Sequence, residues 1–225
     1  EYTLLELVEA LSEGRGPGGI AGLWHKENGR VIKERMREPV QDLDKLPLPD
    51  KDLFAKRFVY RDDYVTMASR GCPFACSYCC ESYFRKAHGS RAFRRRSVGS
   101  VIEELKAMAE KFRYKRVMFF DCIFFADKRW ILDFLPEYSR EISVPFRCTG
   151  HVSFADDEVI SAMKEAGCYG IDFGVQTFNE EVRKTLLNRP ETNEDIHRAF
   201  AACDRAGLRY DVDLMMGLPL TTERD

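Results

Sequence analysis

Within residues 2–11, Tyr-Thr-Leu-Leu-Glu-Leu-Val-Glu-Ala-Leu, apolar side chains fall at 4, 5, 7, 8 and 11. That spacing predicts a helix with a glutamate-rich outer face. Gly14, Gly16, Gly18 and Gly19 end it. A short strand is expected at Ile20–Trp24, then a turn at Glu27-Asn28-Gly29-Arg30 and a second strand at Val31-Ile32. Asn-Gly between two such runs is a strong hairpin signal. Over 38–54 the periodicity dissolves into a stretch with three prolines and five acids, which reads as a linker. The chain is therefore divided into an N-terminal part at 1–37, a linker at 38–57 and a main domain at 58–225.

From residue 64 the pattern becomes strand, then helix, repeated. Strands are expected at 64–69, 116–121, 144–149, 169–176 and 208–215. Helices are expected at 98–111, 128–140, 156–166, 179–187 and 193–206, with Gly167 and Gly207 closing two of them. Apolar runs separated by amphipathic helices imply a parallel sheet covered by helices, an α/β fold. Right-handed crossovers curl such units toward a barrel, and a doubly wound open sheet is the alternative.

A length of 225 residues accommodates one sizeable domain and a small appendage. The net charge of −2 gives no overall attraction to nucleic acid or anionic membrane. No apolar run approaches the length of a membrane span. The opening residues do not read as a signal peptide, and Cys80, Cys122, Cys148, Cys168 and Cys203 lie scattered. They read as reduced core residues of a cytoplasmic protein. The chain opens at Glu1 without an initiator methionine and stops at Asp225 just after a strand and turn, so a fragment of a longer polypeptide is expected.

The remaining three of the eight cysteines form the run Arg70-Gly71-Cys72-Pro73-Phe74-Ala75-Cys76-Ser77-Tyr78-Cys79-Cys80, with the spacing C-x3-C-x2-C just after a predicted strand. Three thiolates on one tight loop can hold three irons of a [4Fe-4S] cluster and leave the fourth iron free for a small molecule. Zinc is the competing reading. A structural zinc site needs four ligands, usually as two separated pairs, and Cys80 as the fourth is strained by its adjacency to Cys79. Inert buried cysteines are a third reading, which the loop-forming Gly71 and Pro73 disfavour.

The C-x3-C-x-aromatic-C run, in its Arg-Gly-Cys-Pro-Phe setting, resembles the signature of radical S-adenosylmethionine (SAM) enzymes. The resemblance implies that Cys72, Cys76 and Cys79 ligate the cluster and that its open iron chelates the amino and carboxylate groups of SAM. An electron from an external donor such as a flavodoxin or ferredoxin then cleaves SAM to methionine and a 5′-deoxyadenosyl radical. It also implies the fold: a partial (β/α)6 barrel whose sixth unit would lie beyond Asp225, with a small N-terminal helix–hairpin remnant.

The N-terminal residues "EYTLLELVEAL", with the glycine-rich hairpin and "DLDKLPLPDKDLF", resemble the end of a cobalamin-binding domain and its linker. Cobalamin is thus an expectation for the full-length parent. The D-x-H-x-x-G motif that supplies the cobalt ligand is not in this chain. Taken by themselves, these residues make only a helix and hairpin that cap the barrel.

In parallel α/β folds ligands bind at the carboxyl ends of strands. That rule selects the cysteine loop, Asp121 and Cys122, then Arg147, Thr149 and His151, then Gln176 and Thr177, and finally Asp213, Met216 and Gly217. The resemblance places Tyr78 beside the adenine and Asp121 near the SAM amino group. It places Gln176 at the ribose hydroxyls and Gly217, in Gly217-Leu218-Pro219, against the adenosine. Asp121 and Gln176 can equally cap the following helices. His151 reads as a helix-start residue, and His197 as a surface residue. Asp213 reads as a carboxylate facing the interior that needs a partner. The basic stretch Arg85, Lys86, Arg91, Arg94, Arg95 and Arg96 reads as a solvated loop rather than a nucleic-acid patch. The Phe-rich run 118–125 reads as core. The substrate, a small or lipid-like molecule, is not legible.

Overall fold

The computed structural model describes residues 1–55, 62–219 and 221–222. It comprises two compact units, Glu1–Val40 and Gln41–Asp225. The first four residues of the expected main domain, 58–61, and the linker's last two, 56 and 57, lie outside the described residues.

In the first unit, helix α1 (Tyr2–Ser12) precedes a hairpin of β1 (Trp24–Glu27) and β2 (Arg30–Lys33), paired antiparallel from Trp24–Lys33 to Glu27–Arg30. Asn28 and Gly29 both have positive φ, 48° and 78°, as a two-residue hairpin turn requires. The strand expected at Ile20–Trp24 starts only at Trp24. Gly22 has φ +80°, and a Cβ there would stand 2.9 Å from Thr3 Oγ1, so residues 20–23 turn instead of extending. Of α1, only Ala10 is buried, while Leu4, Leu5, Val8 and Leu11 are exposed.

The second unit opens with a 3-10 turn at Leu43–Lys45 and the one-turn helix α2 (Asp52–Ala55). The prolines here do not exclude packing: Leu43 is buried, and the Asp44 carboxylate accepts from the Ser97 amide at 3.0 Å. The main sheet then begins with β3 (Asp63–Thr66). A two-residue strand, β4 (Ser69–Arg70), leads into the cysteine loop, after which come helix α3 (Glu81–His88) and β5 (Arg94–Arg95). Strand β5 pairs antiparallel with β4. Helix α4 (Val98–Phe112), β6 (Arg116–Phe119), α5 (Lys128–Glu141), β7 (Phe146–Gly150), α6 (Asp157–Glu165) and β8 (Cys168–Gln176) follow in alternation. Two helices, α7 (Glu180–Thr185) and α8 (Asn193–Ala206), precede the last strand, β9 (Tyr210–Leu214).

The five-stranded sheet has the order β3-β6-β7-β8-β9, every neighbour parallel. Spatial order equals chain order, with no reversal. A doubly wound sheet needs a reversal, so the alternative topology is excluded for these strands and the partial barrel stands.

Burial alternates along the strands. Tyr64, Val117, Phe119, Phe146, Cys148, Ile171 and Phe173 face the helices and are buried. Phe119 and Phe124 stack at 4.2 Å, and Phe134, Tyr138 and Phe146 meet Phe119 edge-on. The Phe-rich run is thus core, apart from the exposed Phe120 and Cys122. The opposite strand face carries Arg147, Thr149, Asp172, Gln176, Asp211 and Asp213, all more open. Arg147 bonds Asp172 at 2.7 Å through Nε and pairs with Asp211 as well. These partners hold the Arg147 pKa above its ordinary value despite burial.

Helix ends follow local chemistry. Ser97, Asp127, Asp156 and Asn179 each cap the helix that follows, and Thr192 with Asp195 forms a capping box on α8. Glu104 of α4 is buried and accepts from Tyr64 Oη at 2.6 Å and Thr66 Oγ1 at 3.0 Å while pairing with Arg96. This ties the first strand of the sheet to its covering helix. The basic stretch is not one loop: Arg85 and Lys86 lie on α3, Arg91 in a 3-10 turn, and Arg94 and Arg95 on β5. Arg95 lies over the Trp130 ring, 4.5 Å from its centroid.

Gly71, directly before Cys72, has φ +82°, and a Cβ there would lie 2.0 Å from the Ala92 carbonyl oxygen. Gly71→Ala therefore meets both an unfavourable backbone conformation and a rigid backbone clash. We expect it to lower unfolding free energy by roughly 2–4 kcal/mol, read from urea denaturation. A change under about 0.5 kcal/mol would show that the β4–β5 ribbon does not hold the cysteine loop.

Candidate active site

The cysteine loop leaves β4 and returns through α3, on which the loop ends with Cys80 as N-cap. The Cys79 amide bonds the Cys76 carbonyl at 3.2 Å, and Ser82 bonds the Cys79 carbonyl through its amide and its hydroxyl. Cys76 is buried, Cys72 and Cys79 are half-buried, and Cys80 is exposed. Cys72, Cys76 and Cys79 line one cavity of about 270 Å³. Tyr78, Gln176, Asp172 and Asp213 share its wall, together with Cys122, His151 and Arg189. The cavity stands at the carboxyl ends of the parallel strands.

The loop is clasped by a distant segment, residues 186–191, between α7 and α8. Ser77 donates from its amide to Leu187 O at 3.0 Å and from its hydroxyl to Leu186 O at 2.6 Å. Asn188 Nδ2 returns a bond to Ala75 O at 2.7 Å. Beneath the clasp, the fully buried Arg183 donates to Thr177 O at 2.6 Å, Glu191 O at 3.0 Å and Asn193 Oδ1 at 2.7 Å. Arg189 then reaches forward. Its Nη1 lies 3.0 Å from Tyr78 Oη and 3.9 Å from Cys76 Sγ, and its Nε donates to Glu191 Oε1 at 2.5 Å. The second oxygen, Glu191 Oε2, faces His151 Nε2 at 3.4 Å. His151 Nδ1 accepts from the Ser153 amide, which leaves the proton of the neutral ring on Nε2, toward Glu191. The ring stacks on Phe74 of the cysteine loop at 4.2 Å.

This network was invisible in the sequence, where Arg189 and Glu191 flank a proline like loop residues. His151 is indeed a start residue, capping the 3-10 turn Val152–Phe154, but it is also buried in the network. His197 is exposed. Cys148, Cys168 and Cys203 are buried, as expected of core cysteines. Cys80 and Cys122 are exposed instead. Cys122 follows β6 at a strand end and so opens into the cavity.

The other sequence candidates fall in different places. Asp121 is buried, and its carboxylate is taken up by the Ala68 amide at 3.1 Å and the Ser69 hydroxyl. Burial pushes its pKa up, against those two bonds. Its side chain therefore fixes the joint between β3 and β4. Asp127 and Asn179 cap α5 and α7, so neither Asp121 nor Gln176 serves as a helix cap. Gln176 has φ +71°, a region few non-glycine residues occupy, at a register shift between Gly174 and Gln176. That geometry ends the strand and puts Gln176 on the walls of two adjoining cavities. Gly217 lines the second of these, next to Gln176 and Thr177. Asp213 lines the first and has no bonded partner among the described residues.

Among the described residues, no three Cys, His, Asp or Glu side chains stand close enough to hold a single ion. A zinc tetrad would need Cys80 as its fourth ligand, and Cys80 is exposed and off the wall of the cavity that the other three cysteines share. A cluster takes one thiolate per iron and needs its sulfurs spread around a larger body, which three cysteines on the wall of a shared cavity can supply. Burial pushes the Cys72 thiol up to about 11 and raises Cys76 too, with Arg189 opposing the latter. Metal uptake here must displace these protons.

Residues 67–225 match the radical SAM superfamily, and the chain belongs to that family. An uncharacterized methyltransferase of Pyrococcus horikoshii is 32% identical over 229 residues, covering 100% of this chain and 49% of that protein. The anaerobic magnesium-protoporphyrin IX monomethyl ester cyclase of Rubrivivax gelatinosus is 22% identical over 232 residues, 97% of this chain and 40% of that one. Among solved structures, the cobalamin-dependent SAM radical enzyme OxsB superposes with TM-score 0.81 at 18% identity, covering 96% of this chain and 32% of that chain. The radical SAM methyltransferase TsrM from Kitasatospora setae gives 0.76 at 21% identity, 99% and 45%. At such identities the solved structures speak to the fold alone. The chain spans half or less of the length of these curated relatives. No helix among the described residues is long and apolar enough to cross a membrane.

Burial opposes ionisation of Glu191, but His151 and Arg189 outweigh it and hold the carboxyl down at about 2. A depressed carboxyl stabilises the fold above its ordinary pKa, and that contribution is lost as pH falls from about 4.5 toward 2. In urea titrations of the metal-free protein we expect wild type and Glu191→Gln to converge over that window, by on the order of 3 kcal/mol. Burial also lowers His151, so protonation there adds a loss of stability below about 6.5. A constant difference between wild type and variant down to pH 2 would contradict the assignment.

Proposed function

We propose that this chain is the cluster- and SAM-binding core of a radical SAM enzyme. Cys72, Cys76 and Cys79 would hold a [4Fe-4S] cluster. The observation that carries the reading is the convergence of these cysteines with Tyr78 and Gln176 on one cavity at the carboxyl ends of a sequentially ordered parallel sheet. When bound and reduced by an external one-electron donor such as a flavodoxin or ferredoxin, the cluster supplies the electron that cleaves SAM to methionine and a 5′-deoxyadenosyl radical.

The chain's own residues bind and orient. Tyr78 presents its ring at the cavity mouth with its hydroxyl fixed by Arg189. Gln176 offers both an amide donor and an acceptor to the ribose hydroxyls, from a backbone position set by the end of β8. Gly217, beside it, leaves room for the adenosine to approach the backbone. Asp121 acts at one remove, by holding Ala68 and Ser69 where the cysteine loop starts. The polar strand face, with Asp172 and Asp213, forms the wall nearest the substrate. The wall excludes bulk water from the radical only once ligands fill it.

Similarity to proteins named as methyltransferases and as cobalamin-dependent enzymes supports methyl transfer in the full-length protein, with cobalamin supplied outside the residues of this chain. A cyclisation or oxidation, as in the named cyclase, is the other outcome the relatives support.

The test is anaerobic reconstitution with iron and sulfide. Wild type should turn brown, bind about four irons per chain, and form 5′-deoxyadenosine when given SAM and reductant. Cys76→Ala should lose both. A chain that retains zinc and takes up no cluster would overturn the reading.

A further inference from the structure

Arg189 is the one guanidinium bonded to a proposed ligand sulfur among the described residues, at 3.9 Å from Cys76 Sγ. It is 6% exposed, so solvent and salt screen its charge little. Four groups fix its fork: Glu191, Tyr78, the Gly174 carbonyl and Cys76 itself. In the binding roles above Arg189 serves only to fix the Tyr78 hydroxyl, which needs a hydrogen-bond donor and not a buried charge. A surface loop would hold the cysteines as well with an apolar clasp, and without the cost of burying an ion pair.

We infer that Arg189 is a positioning residue for the cysteine loop and the fixed charge that sets the reduction potential of a cluster held there, with Glu191 as its counterweight. The inference rests on the cluster reading proposed above. One electron added to a thiolate-ligated cluster increases its negative charge by one. A cation bonded to a ligating sulfur stabilises that reduced form more than the oxidised one and raises the potential. Glu191, bonded to the same guanidinium and buried, lowers the potential in turn. The pair thus fixes the ease with which the external donor can reduce the site. Tyr78 shares the Arg189 fork, so the same residue couples the potential to the orientation of a ring on the cavity wall.

The test is a redox titration of the reconstituted protein, with mediators and dithionite, followed by the electron paramagnetic resonance of the reduced cluster. Arg189→Gln should shift the midpoint to more negative potential and Glu191→Gln to more positive. Arg189→Lys, which keeps the charge and loses the fork, should stay near wild type. Simple loosening of the loop would admit water in every variant and move all three in one direction. Unequal signs therefore separate charge from structure. If Arg189→Gln takes up no cluster, the Glu191→Gln shift decides. Variants with unchanged potentials, or an Arg189→Gln midpoint at or above wild type, overturn this inference alone. A wild type that binds no cluster overturns the proposed function, and this inference with it.

Discussion

The cysteine loop has almost no regular structure of its own, and the site depends on how it is held. Two supports do this. At its entry, β4 pairs with β5, and Asp121 bonds the chain just before the turn. At its crown, Ser77 and Ala75 exchange three hydrogen bonds with Leu186, Leu187 and Asn188. Each bond contributes modestly, about 1 kcal/mol. Together they replace the freedom of a loop with the rigidity of the sheet behind it. The burial of Arg183 under the clasp extends that rigidity to the ends of β8 and the start of α8.

Much of this was legible in the sequence because it is periodic or locally punctuated. The strand–helix alternation, Gly207 after α8 and the Asn28-Gly29 turn depend on neighbours along the chain, and those readings follow the elements closely. The cysteine spacing was legible for the same reason. The order of strands is a long-range property, so periodicity left a doubly wound sheet open as the alternative to a barrel. The clasp was illegible on other grounds. Arg189 and Glu191 have no periodic context, and their meaning arises only when a turn at Asn188, with φ +51°, brings them over Cys76. Helix α1 shows the reverse error. Its apolar positions 4, 5, 8 and 11 carry the strongest pattern in the first unit, yet the hairpin leaves them exposed.

The main sheet has two unlike faces, and the difference separates stability from chemistry. The helix-facing side buries aromatic and aliphatic residues, and burial of that kind dominates folding energy. The other side carries Arg147, Asp172, Asp211 and Asp213, which would be costly in a closed apolar core. Arg147 satisfies two of the acids, and Gly170 gives it passage, since a Cβ there would lie 3.1 Å from Nη1. The polar interior persists because it remains open to solvent and ligand. Substitutions on the helix-facing side thus bear on the fold, whereas Asp172 and Asp213 on the inner side line the cavity that the cysteines share.

The clasp also imposes a timetable. The bonds that close over the cysteine loop join residues 109 and 113 positions apart. On a ribosome the three cysteines emerge long before Leu186 and Asn188, and a partly made chain carries an unclosed, oxidisable thiol cluster. The holding geometry comes into being only when β8 and α7 have docked. On the cluster reading proposed above, the metal centre enters after β8 and α7 have docked, and whatever delivers iron and sulfur meets the closed loop rather than the nascent cysteines.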